Sequence, residues 1–336
     1  MEEDKKLYPT RFCTLEDTYS WGSEEFKLAD LGYRDSLVRD GWLAGNSISE
    51  MMDMYMDRVT GEDVFSRLGR QFPLTVKNIH VKGKMPLRVH PDDTVASERY
   101  DLLGKEKLWY VLRAGKDASV MLGFLKDSDA SELYNRCLDG TVGQMLNVVA
   151  VHSGQVIRIS PGTVHAAQGD MDIIEIGEAS PMDFCLCGWG EEVSTEEFDE
   201  TLTLVDALDF IDYRRYVAEK SSGDSLLNIP QFCVNRVDLK TPLRVHGENS
   251  DQFELYTCVS GSAAVQVEVL GQTASFPFGE GETILVPAEC PDFILAPSAE
   301  GTVLLESLVP HLALKDAYIN PDVPAKLEGE EEEESL

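Results

Sequence analysis

The stretch Gly154-Gln-Val-Ile-Arg-Ile-Ser-Pro-Gly-Thr-Val-His-Ala-Ala-Gln-Gly169 changes character halfway along. Val156, Ile157 and Ile159 read as a strand, Pro161-Gly162 demands a tight turn, and His165 follows at once. Such a turn places an imidazole at the mouth of a small β-barrel. Upstream, Arg88-Val89-His90-Pro91 offers a second histidine, and Lys105-Glu106-Lys107-Leu108-Trp109-Tyr110 opens the strand expected beside it.

The pattern recurs further along the chain. Pro86-Leu87-Arg88-Val89-His90 returns as Pro242-Leu243-Arg244-Val245-His246, and each copy leads through an apolar strand to a glycine, Gly115 or Gly261. A second glycine-to-proline strand then follows in each, Gly154 to Pro161 and Gly281 to Pro287. The economical reading is a mainly β chain of two like barrels, the first decorated with helices. Ser47-x-x-Glu50 is a capping box opening a helical stretch over 46–69, whose methionines (Met51, Met52, Met54, Met56) read as packing. Phe72 to Ile79 reads as the first long buried strand, Pro91-Asp92-Asp93 as a turn into a short helix reaching Leu103, and 131–151 as a helical insert. Thr195 to Tyr213 reads as helix again. The expected domains are 1–190, a helical connector 191–225, a second barrel 226–316 and an acidic disordered tail 317–336.

Composition narrows the partners. The 336 residues carry 60 acidic against 29 basic side chains, a net charge of −31, which repels nucleic-acid backbones and anionic membranes alike. No apolar run approaches the ~18 residues of a membrane span, and the start Met1-Glu2-Glu3-Asp4 is no signal peptide, so a cytoplasmic protein is expected. The 7 cysteines, odd in number and scattered, read as reduced thiols rather than a disulfide framework. Cys185-x-Cys187 puts two sulfurs on one strand face, a pattern found more often in cores than at metals.

Taken in order, these residues resemble the type I mannose-6-phosphate isomerases, a family of zinc-dependent bicupins. The resemblance runs from about Trp21 to Leu308 through Trp21-Gly22, Leu43-Ala44-Gly45-Asn46-Ser47, Phe72-Pro73-Leu74 with Lys77, and Val89-His90-Pro91-Asp92-Asp93. It continues through Gly104-Lys105, Trp109-Tyr110-Val111, Asp139-Gly140-Thr141, Gly162-Thr163-Val164-His165-Ala166 and the stretch Leu204 to Tyr213. The resemblance implies two cupin (jelly-roll β-barrel) domains and proton transfer between C1 and C2 of a sugar phosphate, interconverting mannose 6-phosphate and fructose 6-phosphate. It also implies a zinc held by glutamine, histidine, glutamate and histidine, with a later catalytic arginine.

Residue by residue the match is mixed. His90 and His165 fall on the two histidine ligands and Lys105 on the lysine before the glutamate, whereas the glutamine position holds Arg88 and the glutamate position Lys107. Around Pro181-Met-Asp-Phe-Cys185, where the arginine belongs, there is none. Zinc takes neutral or anionic donors, and neither guanidinium nor ammonium offers a lone pair, so the zinc site reads as degraded. Glu106 could supply a carboxylate only if a bulge shifts the register, because strand neighbours face opposite ways.

The replacements suggest an anion site in which Lys77, Arg88 and Lys105 bind substrate while Lys105 and Lys107 carry the chemistry, a buried lysine of lowered pKa being able to move a proton. Two further readings stay open. The pocket could bind or sense a phosphosugar or other small anion through Arg88, Lys105 and Lys107 without turnover, or Arg88 and Lys107 could simply pair with Glu106, Asp92 or Glu175 and tie strands together. In the second barrel His246, Glu254 and Asp292 could form a facial metal triad. The sequence does not set the oligomeric state.

Overall fold

The computed structural model describes residues 5–189, 204–218, 223–246, 252–269, 272–290 and 292–311. The acidic tail and the first part of the expected connector lie outside them.

The two copies of the repeat each build a pair of antiparallel sheets. In the first, one sheet runs in the order Leu15–Tyr19, Gly22–Leu28, Leu74–Val81, Met171–Glu178, Lys107–Ala114, Val156–Ile159. It faces a sheet ordered Phe184–Cys187, Leu87–Val89, His165–Gln168, Ser119–Phe124, Leu146–Ala150. The second copy pairs Ser225–Asn228, Cys233–Asp238, Val303–Leu308, Glu254–Ser260 and Thr283–Val286 with Leu243–Val245, Phe293–Pro297, Ser262–Val269 and Gln272–Gly279. Leu-Arg-Val thus becomes the same three-residue strand twice, beside His165–Gln168 in one copy and Phe293–Pro297 in the other. The first copy is buried on alternate residues, and the second is largely exposed.

Helices frame the first pair of sheets. Ser47 and Glu50 form the expected reciprocal capping box at the start of Ile48–Tyr55. The helical stretch is not continuous, however. It breaks at Met56 (φ 45°) and Gly61 (φ 91°) into Ile48–Tyr55, Asp57–Thr60 and Glu62–Leu68. Asp92 caps Asp93–Tyr100, which ends on Asp101 in the left-handed region, short of the expected Leu103. In the insert, Ala130–Leu138 is helical and Val142–Gln144 a 3₁₀ turn, but Leu146–Ala150 is a strand with Val149 opposite Val120. The β-branched pair Val148-Val149 and the alternation of half-buried with exposed side chains after the buried Leu146 account for that correction. Of the expected helix 195–213, the described part holds only Leu204–Ala207.

Three large apolar clusters and a small one around Phe26, Ala29, Leu31 and Ala179 occur among the described residues. One fills the first barrel and another the second. The third joins them: Met51, Met52, Phe72 and Leu74 from the first half meet Phe232, Phe253 and Leu285 from the second, with Phe72 and Phe253 rings 4.8 Å apart. The boundary near 190 therefore does not separate two independent cores. Outside the barrels, Thr10 exchanges backbone hydrogen bonds of 2.7 and 2.9 Å with Leu285, stitching the N-terminal segment to the second barrel.

Gly22 is where the first hairpin is most constrained: its φ is 151°, and a Cβ there would stand 1.8 Å from the carbonyl oxygen of His80. A Gly22→Ala variant is expected to lose roughly 3 kcal/mol or more in urea unfolding. Gly32→Ala, at φ 75° with nothing within 4 Å of the new methyl, should lose only the ~1–2 kcal/mol of left-handed backbone strain.

Candidate functional site

The Pro161-Gly162 turn sets the site. Gly162, at φ 77°, donates its N–H to the carbonyl of His90 (2.9 Å), so the loop carrying His165 is bonded to the residue carrying the other imidazole. Arg88 lies opposite His165 in the sheet, and the rings of His90 and His165 stand 5.3 Å apart, with Trp109 edge-on to His165 at 5.6 Å. Both histidines are essentially unexposed.

The facing sheet supplies charge. Strand register puts Phe26, Lys77, Glu175, Trp109 and Ile157 in one row, each opposite the next. Cross-strand partners share a face, so this row enters the barrel together with Glu24 and Lys107, two residues along their strands from Phe26 and Trp109. Lys77 Nζ lies 2.8 Å from Glu24 and 3.3 Å from Glu175. Arg88 reaches the other Glu24 oxygen at 2.9 Å. Lys107 Nζ lies between Glu175 (3.5 Å) and Asp183 (3.3 Å), and Lys105 takes the second Asp183 oxygen at 3.1 Å. Trp109 donates its indole N–H to Glu175 at 2.6 Å. Four cations thus meet three carboxylates, leaving an excess of positive charge if all are ionised.

Burial disfavours every charge here, and neighbours decide the outcome. Glu175 and Glu24 outweigh it for Lys77, and Glu24 and Asp183 for Arg88, so both hold their protons more tightly than usual. The carboxyls of Glu24, Glu175 and Asp183 resist burial through the cations and titrate below their ordinary range. For His165, burial and then Lys107 act in the same direction and push the pKa down to about 3; His90 is also held well below its usual value. Lys107 is pulled down by burial, with Lys105 and Lys77 adding to it against Asp183 and Glu175. Its proton is loosened where those of Lys77 and Arg88 are tightened.

The neutral imidazoles are incompletely bonded. His165 Nδ1 pairs with the carbonyl of Thr163 (2.9 Å) as the donor, which leaves a lone pair on Nε2. Among the described residues, neither that Nε2 nor either ring nitrogen of His90 has a hydrogen-bond partner. Unmet polar atoms at such depth cost roughly 1–3 kcal/mol each.

Zinc fits this donor set poorly. Two imidazole nitrogens are available, but the nearby carboxylates are engaged by lysines, and no group of three or more metal-ligating side chains occurs among the described residues. Glu106 adds nothing: it grips Arg158 at 2.8 Å. The row in the barrel also contains residues that sequence reasoning passed over. Glu24 shares strand parity with the buried Phe26 and Leu28, a legible signal. Asp183 lies just before the strand Phe184–Cys187, with no pattern to announce it. In the second barrel, His246 meets Asp292 at 3.1 Å on the surface, while the Glu254 carboxylate accepts from the buried Tyr256 hydroxyl. The three residues form no common site.

No family model matches the chain. Among curated proteins, mannose-6-phosphate isomerase ManA of Bacillus subtilis is 24% identical over 276 residues, 79% of this chain and 83% of the relative. Mannose-6-phosphate isomerase of Streptococcus mutans is 30% identical over 109 residues, 32% of this chain and 34% of the relative. Among solved structures, the mannose 6-phosphate isomerase of Bacillus subtilis aligns with TM-score 0.75 at 20% identity, covering 91% of this chain and 100% of that one. A zinc-bound mannose 6-phosphate isomerase aligns with TM-score 0.68 at 12% identity over 91% of this chain and 100% of that one. At these identities the structural matches speak for the fold. No helix among the described residues is long and apolar enough to cross a membrane.

Breaking one member of the buried network leaves a charge without its counter-ion. Glu24→Gln should cost roughly 3–5 kcal/mol in equilibrium unfolding at pH 7, where the stability supplied by a depressed carboxylate is fully present. Asp212→Asn, whose carboxylate holds Arg214 on the surface, should leave the midpoint unmoved.

Proposed function

We propose that this chain, which belongs to the mannose-6-phosphate isomerase family, moves a proton between neighbouring carbons of a sugar phosphate, and does so on Lys107 without a zinc ion. The observation that carries the reading is the state of Lys107. It is buried beside two neutral imidazoles, between two carboxylates, and its proton is loosened where those of Lys77 and Arg88 are tightened.

An aldose–ketose isomerisation needs two things: a group that removes a proton from one carbon and returns it to the next, and positive charge near the oxygen that becomes an enediolate. The carboxylates here are weak bases because the cations hold them ionised, and the imidazoles are weakened by burial. Burial moves the proton affinity of Lys107 toward neutrality. Once deprotonated it can accept the carbon-bound proton, and as ammonium it returns it, while Lys105 beside Asp183 supplies charge to the oxygen. Neutral His90 and His165 offer the unfilled nitrogens that would bond the sugar hydroxyls. The cluster's surplus of positive charge suits an anionic substrate. The substrate class is that of the relatives, and mannose 6-phosphate and fructose 6-phosphate are the compounds to try first.

A second reading has its own support. Each cation already touches a buried or half-buried carboxylate between the two sheets, an arrangement suited to binding or sensing a phosphosugar without turnover.

A coupled assay of mannose 6-phosphate conversion, paired with calorimetric binding of the same sugar, separates these readings. Turnover should persist in excess chelator and fall about 10²–10⁴-fold in Lys107→Met. Turnover abolished by chelator and restored by zinc would defeat the metal-free mechanism, and binding without turnover would establish the second reading. Lys107→Glu tests the metal argument separately: adding a carboxylate beside two unfilled imidazoles should raise zinc affinity above that of the native chain.

A further inference from the structure

His90, His165 and Lys107 lie almost wholly out of solvent, so a molecule that reaches them must displace a piece of chain. Four pieces adjoin them. The turn leading into His165 carries the buried Val164 and is bonded on both sides, to His90 through the Gly162 N–H and to Asp212 through the Gly162 carbonyl, each at 2.9 Å. Ala179, Ser180 and Met182, which come before Asp183, are buried, and so are Ala207 and Ile211 in the segment behind the turn. The fourth piece differs. Between Asp92 and Leu103 the sole buried side chain is Ala96.

This excursion leaves and rejoins the site at a pinched neck. It departs just after His90-Pro91 and returns just before Lys105. Lys105 donates its N–H to the Pro91 carbonyl at 3.1 Å, and Gly104 donates to Asp93 Oδ1 at 2.9 Å. A Cβ on Gly104 would stand 2.3 Å from the carbonyl carbon of Asp92, so only glycine lets the two ends of the neck come this close. Above the neck, Asp92 caps the helix Asp93–Tyr100 and Asp101, at φ 56°, turns the chain back. Three contacts hold this part against the rest of the molecule. Arg99 pairs with Asp209 through both guanidinium nitrogens at the surface, Tyr100 meets the Phe184 ring edge-on at 5.8 Å, and the Leu103 carbonyl accepts from the Ser180 hydroxyl at 2.7 Å.

We propose that residues 92–104 are a lid over the buried imidazoles, latched by the Arg99–Asp209 pair and swinging about the Asp92–Gly104 neck to open the way to them. A segment with so little buried apolar surface opens at a smaller free-energy cost than the packed pieces around it. Its latch is a pair of side chains that water already reaches, with Arg99 39% and Asp209 60% exposed, so neither charge is stranded when the pair separates. The neck lies beside His90 at one end and Lys105 at the other, so movement of the lid is felt by both. The lid governs access, and it stands whether or not the cluster beneath turns a sugar phosphate over.

The test uses the full chain and diethyl pyrocarbonate, which acylates neutral imidazole nitrogens, with the modified peptides quantified by mass spectrometry. In the native chain His90 and His165 should react far more slowly than the exposed His152. Asp209→Asn and Arg99→Gln should each speed both buried histidines roughly 2–5-fold, the effect of one surface ion pair, with His152 and the melting midpoint unchanged. The two changes combined should add nothing further, because they release the same latch. Amide hydrogen exchange then locates the motion: 93–103 should exchange faster in these variants, while the Asp212 and Tyr216 amides, bonded to Gly162 and Phe124, keep their protection. Unchanged rates at both buried histidines, acceleration that tracks a lowered midpoint, or loosening of 204–216 in place of 93–103 would overturn the lid.

Discussion

The first barrel depends on opposite charges held together out of water. Glu24, Glu175 and Asp183 each touch two cations, and each of Lys77 and Lys107 touches two carboxylates, so the network runs continuously from one sheet to the other. Isolated, any of these groups would be driven to its neutral form by burial. Linked, Lys77 and the three carboxylates remain ionised while the proton of Lys107 is loosened, and their mutual pull orders the strands around them. The imidazoles are held neutral first by burial and then by the neighbouring Lys107 charge.

Much of this was legible from residue patterns. The repeated Pro-Leu-Arg-Val-His unit and the glycine-to-proline strands announced two barrels of one kind, because a short strand between turn residues has few other uses. Strand alternation separated Lys107 from its neighbour, and the two side chains do take different partners: Glu106 turns to Arg158, Lys107 to Glu175 and Asp183. Less was legible where long-range pairing overrides local preference. Leu146–Ala150 follows a helix and a 3₁₀ turn and reads as their continuation until it pairs with Ser119–Phe124. Asp183 was invisible because its role is set by which lysines the fold brings to it, and no spacing within its own segment encodes them.

The two copies of the motif also differ instructively. Arg88 enters the barrel and completes a pair with Glu24, whereas Arg244, at the matching position, lies on an exposed edge strand. The polar interior of the second barrel is of another kind: the buried Tyr256 hydroxyl between Glu254 and Glu306, the latter also bonded to Asn235. Fold symmetry has been kept while the chemistry inside each half has gone its own way.

The apolar seam of Met51, Phe72 and Leu74 against Phe232, Phe253 and Leu285 has a thermodynamic consequence. Halves that share a core cannot melt separately without exposing it, so the chain behaves as one cooperative unit in which free energy delivered anywhere is felt throughout. An occupant settling beside His90 would therefore raise the melting temperature of strands in the opposite half, which never touch it.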